Sequence, residues 1–211
     1  MDTLSSRIEQ VTPSLTLAVT NQAKAMKAAG EEVYGLAGGE PEMDTPDHIK
    51  QAAFEALQAG KTKYTPAAGI PELREAIANK LLADNNVAYD PKQICVTSGG
   101  KQACFNTILA MCEEGDEVII PSPYWVSYPE MVRLAGATPV FVETKEENKW
   151  KITPDQFEEA MSPATKMIIL NTPGNPTGSV YTADELKALG EVAGYEDTVS
   201  YTHLTLPTNT V

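Results

Sequence analysis

Histidine, cysteine and positive charge are scarce in this chain, and each shortage narrows what it can do. The two histidines, His48 and His203, stand far apart, whereas a metal centre needs several clustered ligands, so no metal site is expected. Cys95, Cys104 and Cys112 show no Cys-x-x-Cys spacing and lie in apolar patterns. They are expected to be reduced core thiols rather than a disulfide framework. Sixteen Lys and Arg against 29 Asp and Glu leave a formal net charge of -13. That balance repels phosphate backbones and anionic lipid, which argues against nucleic-acid and membrane partners. No apolar run approaches the ~20 residues of a membrane span, and the opening MDTLSSRIEQ lacks the basic flank and apolar core of a signal peptide. A cytoplasmic location is expected.

The 211 residues are 42% hydrophobic, enough for one substantial core. Apolar and Ala-rich spacing predicts helices over 13–29, 45–60 and 70–86, and residues 33–37 read as a short strand. From residue 93 the pattern becomes regular. QICV (93–96), EVII (117–120), TPVFV (138–142) and KMIIL (166–170) are apolar runs of strand length, separated by helical segments at 101–112, 125–134 and 154–161. A last helix is expected at 182–193. Strands alternating with helices define an α/β fold: three layers, a mostly parallel sheet with helices on both faces, preceded by an N-terminal arm.

Three stretches at the ends of these runs invite chemistry. TSGGKQACFN (97–106) sets two glycines between a strand end and a helix start. The bare N–H groups and dipole of a helix N-terminus favour an anion, though a strand-to-helix turn also uses glycine for geometry alone. Neither the nucleotide-binding GxxxxGK[ST] spacing nor the dinucleotide GxGxxG is present. SPYWVSYPE (122–130) clusters Tyr124, Trp125 and Tyr128, which could form core or a stacking platform. NTPGNPTG (171–178) crowds Pro, Gly and Asn beyond what a turn of about two residues requires. Such a loop at the carboxyl end of a strand is a candidate site. A phosphorylated aromatic cofactor would use all three stretches.

YTPAAGIPELREAIA (64–78), TSGGKQACFN, PSPYWVSYPEMV (121–132) and NTPGNPTG, in this order and at these separations, resemble the class I aminotransferases of the aspartate aminotransferase type. LAGGEPEMDTP (36–46) fits as well. The resemblance implies pyridoxal 5'-phosphate as cofactor, an L-amino acid of aspartate or aromatic type and a 2-oxo acid as substrates, and a homodimer. It implies that Gly99, Gly100 and Lys101 cradle the cofactor phosphate and that Tyr64 reaches the phosphate of the neighbouring subunit. Trp125 would stack on the pyridine ring, Asn175 would donate to its phenolate oxygen and lie near the substrate carboxylate, and Gly39 would meet the substrate. It also implies cis bonds at Ser122-Pro123 and Asn175-Pro176. A lyase or synthase of the same fold, or a non-catalytic ligand-sensing domain, is the alternative.

The family also requires a Schiff-base lysine, an aspartate for the pyridine nitrogen and an arginine for the substrate carboxylate. None has a match here. Lys61, Lys63, Lys101 and Lys166 flank turns or open helices. Catalytic residues are accordingly expected beyond the chain end, and the chain by itself is expected to be inactive. The expected organisation is an arm and small-domain segment over 1–45, a partial cofactor-binding large domain over 46–199, and a non-matching Thr-rich tail over 200–211, foreign or disordered.

Overall fold

A computed structural model of the chain describes residues 5–36, 39, 43–195 and 199–201. In chain order the elements are α1 (Ser6–Glu9), α2 (Leu15–Ala28), α3 (Asp47–Gln58), α4 (Pro71–Asn85), α5 (Gly100–Met111), β1 (Glu117–Ser122), α6 (Ser127–Leu134), β2 (Thr138–Glu143), α7 (Pro154–Ala160), β3 (Thr165–Ile169), α8 (Ala183–Tyr195) and β4 (Val199–Tyr201). Two compact units form. Among the described residues, one joins those up to Val33 with those from Cys104 to Tyr201, and the other runs from Tyr34 to Ala103.

The first unit is built on a parallel four-stranded sheet in the order β2-β1-β3-β4. Ile119 of β1 lies opposite Val140 of β2 on one side and Ile168 of β3 on the other. Because side chains alternate along a strand, the apolar runs EVII and KMII feed two cores. Val118, Ile120, Met167 and Ile169 pack with Cys104 and Ile108 of α5 and with Met131 and Val132 of α6. Ile119 and Ile168 face the other way, onto Phe157 of α7 and Leu189 and Ala193 of α8. This is the three-layer α/β arrangement expected from the alternation. Strands buried on both faces read as continuous apolar runs, which is why periodicity found them.

Local chemistry sets the helix starts. Thr153 caps α7 through a reciprocal box with Gln156, and Pro154 occupies its first turn, where its missing N–H costs nothing. The start of α8 has the same logic: the Glu185 carboxylate accepts from Thr182 N at 2.7 Å, and the Thr182 hydroxyl accepts from Glu185 N at 3.3 Å. Gly136, at φ +89, ends the α6 turn in a left-handed conformation that favours glycine.

In the second unit α3 and α4 are joined through residues 59–70, and Ala78 of α4 is buried. Gly69, at φ +101, lies against Val96: a Cβ there would come within 2.6 Å of a Val96 methyl carbon.

Two expected strands are corrected. QICV does not form one: residues 91–93 make a 3-10 turn, and 94–97 are extended but outside any ladder. The Val96 N–H goes to the Ala68 carbonyl at 3.0 Å in place of a ladder partner. Residues 33–36 are likewise not a strand, and Tyr34 and Leu36 are strongly exposed, so no sheet covers them. Cys104 and Cys112 are buried free thiols as expected, whereas Cys95 is an exposed one. The short strand β4 places Val199–Tyr201 beside β3, which includes the first two positions of the expected non-matching tail. The rest of that tail, 202–211, lies outside the described residues, as do 37, 38 and 40–42 of the LAGGEPEMDTP stretch. Among the described residues no helix is long and apolar enough to cross a membrane, and no group of three or more His, Cys, Asp or Glu could hold a metal ion.

Candidate functional site

The carboxyl ends of β1 and β3, with the loops that follow them, border an open cleft. Pro123, Tyr124, Trp150, Asn171, Asn175 and Tyr181 are among its lining. The position follows from the topology, since parallel strands deliver their connecting loops to the same edge of the sheet.

NTPGNPTG forms the cleft wall after β3. It closes on itself: Gly174 N donates to Ser179 O at 2.8 Å, and Gly178 N donates to Gly174 O at 2.7 Å. Gly178, at φ +72, supplies a left-handed residue within that closure. Asn175 sits at the exposed turn of the loop, and its carboxamide makes no hydrogen bond among the described residues. The bonds Ser122-Pro123 and Asn175-Pro176 are both cis, and Thr172-Pro173 is a third.

The aromatic stretch divides its labour. Tyr124 lines the cleft and stacks on Phe141 of β2, with ring centroids 5.1 Å apart and 17° between planes. Tyr128 is buried in the core and also borders the cleft. Trp125 meets Tyr128 edge-on at 5.3 Å and packs part-buried against the same core, outside the described lining of the cleft. Asn175 and Trp125 thus belong to the sheet unit, while Gly39, Tyr64, Gly99, Gly100 and Lys101 have their places in or at the edge of the other unit.

There, Gly99 has φ +85, and no atom lies within 4 Å of where a Cβ would stand, so the turn opens toward free space. Its shape is held locally. The Thr97 hydroxyl donates to Gly99 O at 2.9 Å, and Ser98 N donates to the Gln102 side chain at 2.6 Å. The buried Gly100 then begins α5. Tyr64 is fully exposed and Gly39 exposed.

Sequence reasoning missed the charged group behind the cleft. Lys151 is 6% exposed and forms an ion pair with Glu185, and its ammonium lies 5.7 Å from the centre of the Tyr181 ring. The Tyr181 hydroxyl accepts from Ile152 N at 2.9 Å. Burial pushes the Tyr181 phenol up from its ordinary value. Lys151 holds the Glu185 carboxyl below its ordinary range, and the Thr182 N–H adds to that. The Thr-x-x-Glu capping box at 182–185 was a readable signal for Glu185. Nothing local marks Lys151, whose partner is 34 residues away.

Known proteins share this arrangement. The aminotransferase class I and II family profile matches residues 31–197. The chain is 53% identical over 189 residues to an aspartate aminotransferase of Geobacillus stearothermophilus, which covers 90% of this chain and 48% of that protein. It is 54% identical over 189 residues to an aspartate/prephenate aminotransferase of Cereibacter sphaeroides, covering 90% and 47%. The crystal structure of the aspartate aminotransferase from Thermus thermophilus with maleate superposes with a TM-score of 0.91 at 48% identity, over 95% of this chain and 52% of that one. The chain belongs to the class I and II aminotransferases. It spans about half the length of the curated relatives it matches.

Proposed function

We propose that this chain supplies the pyridoxal 5'-phosphate-holding part of an aminotransferase acting on an aspartate-type or aromatic L-amino acid and a 2-oxo acid. The observation that carries the reading is the Asn175 carboxamide, presented on a self-closed loop at the mouth of an aromatic-walled cleft and engaged by no other described group. Its partners in composition support it. Tyr124 and Tyr181 offer flat apolar walls with polar tips. The open Gly99 turn at the start of α5 offers N–H groups with no side chain to obstruct an anion. Each is a group of the kind that a planar ring bearing a phenolate and a phosphate requires.

When bound, the cofactor is an electron sink for a carbanion at the substrate α-carbon. The chain's own residues hold and orient. Asn175 would fix the ring by donating to the phenolate oxygen, and Gly99, Gly100 and Lys101 would hold the phosphate; Trp125, expected on the ring face, packs beside Tyr128 outside the described lining, and Tyr124 lines the cleft in its place. Gly39 would contact substrate, and Tyr64 would reach the neighbouring subunit of a homodimer. Donors fixed in advance cost no reorganisation when charge develops, which is the physical benefit of mounting Asn175 on a stiff loop. A cytoplasmic location accords with the acidic composition. The described lining of the cleft includes no lysine.

Titrating the pure chain with pyridoxal 5'-phosphate while following tryptophan fluorescence tests the reading. Saturable quenching that weakens about tenfold in Asn175→Ala, equivalent to losing a hydrogen bond to a charged group, is expected. Quenching unaffected by that substitution would overturn it.

A further inference from the structure

The stretch that carries Asn175 and the start of α8 that follows it are fastened by one short segment, residues 149–152, at three points. Ser179 Oγ donates to Lys149 O, Lys151 Nζ pairs with Glu185, and Ile152 N donates to the Tyr181 hydroxyl at 2.9 Å. Tyr181 passes the restraint on, because its own N–H donates to Thr172 Oγ1 at 3.1 Å, at the start of the loop. The fastening segment is itself held in an uncommon shape. Lys149 and Trp150 are successive non-glycine residues at φ +54 and +55, a conformation that persists only where surrounding bonds over-determine it. Those bonds are present: Trp150 N donates to Lys145 O at 2.9 Å, and Asn148 Nδ2 donates to Lys151 O at 2.8 Å.

We propose that Lys151 is a positioning residue for the Asn175 loop, acting through Glu185 and Tyr181. A buried ammonium has one favourable arrangement, with its carboxylate in contact, since leaving it unpaired exposes the full cost of desolvation. Lys151 thereby fixes the distance between its own segment and the start of α8. Tyr181 sits between those two anchors and lines the cleft. Loosening the pair frees Tyr181, and with it Thr172 and the turn bearing Asn175. The proposal depends on the aminotransferase reading only for what Asn175 does once positioned.

Amide hydrogen exchange of the full 211-residue chain, without cofactor, tests it in the wild type and in Lys151→Met, Lys151→Arg and Glu185→Gln. The Met and Gln variants should raise exchange in residues 172–181 by about tenfold or more while peptides covering β1 and β3 stay unchanged, because sub-global opening is local. The Arg variant, which keeps charge and donors, should restore most of the protection. Equal loss of protection in β1 and in 172–181, no change in 172–181, or an Arg variant no better than Met would overturn the proposal. Since no cofactor is added, a wrong exchange pattern leaves the aminotransferase reading standing, and failure of that reading leaves the exchange pattern intact.

Discussion

The Ile152 N–H donates to the Tyr181 hydroxyl at 2.9 Å, across 29 residues of sequence. This single bond ties the segment entering α7 to the loop leaving the cleft. Replacing Tyr181 with Phe keeps the ring and removes the acceptor, leaving a part-buried N–H without its partner. The expected cost is about 1–3 kcal/mol of stability, read as a lower urea midpoint at unchanged slope.

The three thiols should separate cleanly in labelling. Cys95 is exposed, whereas burial pushes the Cys104 thiol up to about 11 and also raises that of Cys112, with Asp116 adding to the shift. Since the thiolate is the reactive form, a thiol reagent at neutral pH should modify one residue rapidly, and mass spectrometry should locate it at Cys95. Cys104 and Cys112 should react only on unfolding.

Acid should loosen the structure partly through Glu185. Its folded carboxyl is held below the ordinary 4.5, first by the Lys151 hydrogen bond. A depressed carboxylate contributes stability above the unfolded value and loses it as pH falls through the folded one. The wild type should therefore exceed Glu185→Gln in urea midpoint at neutral pH, and the gap should begin to narrow once pH falls below about 4.3, the unfolded value, and close at lower pH. A gap that persisted in acid would assign the effect to packing rather than charge.

Legibility in the sequence followed the range of the interactions. β1 and β3 were readable because a strand buried on both faces must be apolar throughout, β2 because the edge run TPVFV is apolar and of strand length, and helices α2 to α8 because their starts and stops are local. Ile94 to Val96 reads as a strand by the same rule, yet its fate depended on whether a ladder partner stood beside it. Val96 N instead found Ala68 O. Asn175 and Tyr124 reach the cleft as the strand-end argument implies, while Trp125 turned to the core against Tyr128, a choice between two neighbouring aromatics that no spacing distinguishes. Lys151 sits in the polar run EENKWK, where no spacing marks it for burial. Only the folded sheet brings Glu185 to it.

The isolated chain should not transaminate. Its cleft wall offers donors and aromatic surface without a described lysine, so binding can be retained where covalent capture is not. Coupled assay of the pure chain with aspartate and a 2-oxo acid should give the blank rate. A cofactor-dependent rate above it would require a covalent anchor among this chain's own lysines.

The most direct test of the central claim is the transamination rate of a chimera in which residues 5–190 of this chain replace the matching part of the Geobacillus stearothermophilus aspartate aminotransferase. If these residues hold and orient the cofactor, the chimera transaminates aspartate, and Asn175→Ala within it lowers kcat/KM by about tenfold to a hundredfold, the scale of one lost donor to developing or resident charge. A folded chimera that binds no pyridoxal 5'-phosphate and transaminates nothing would contradict the account.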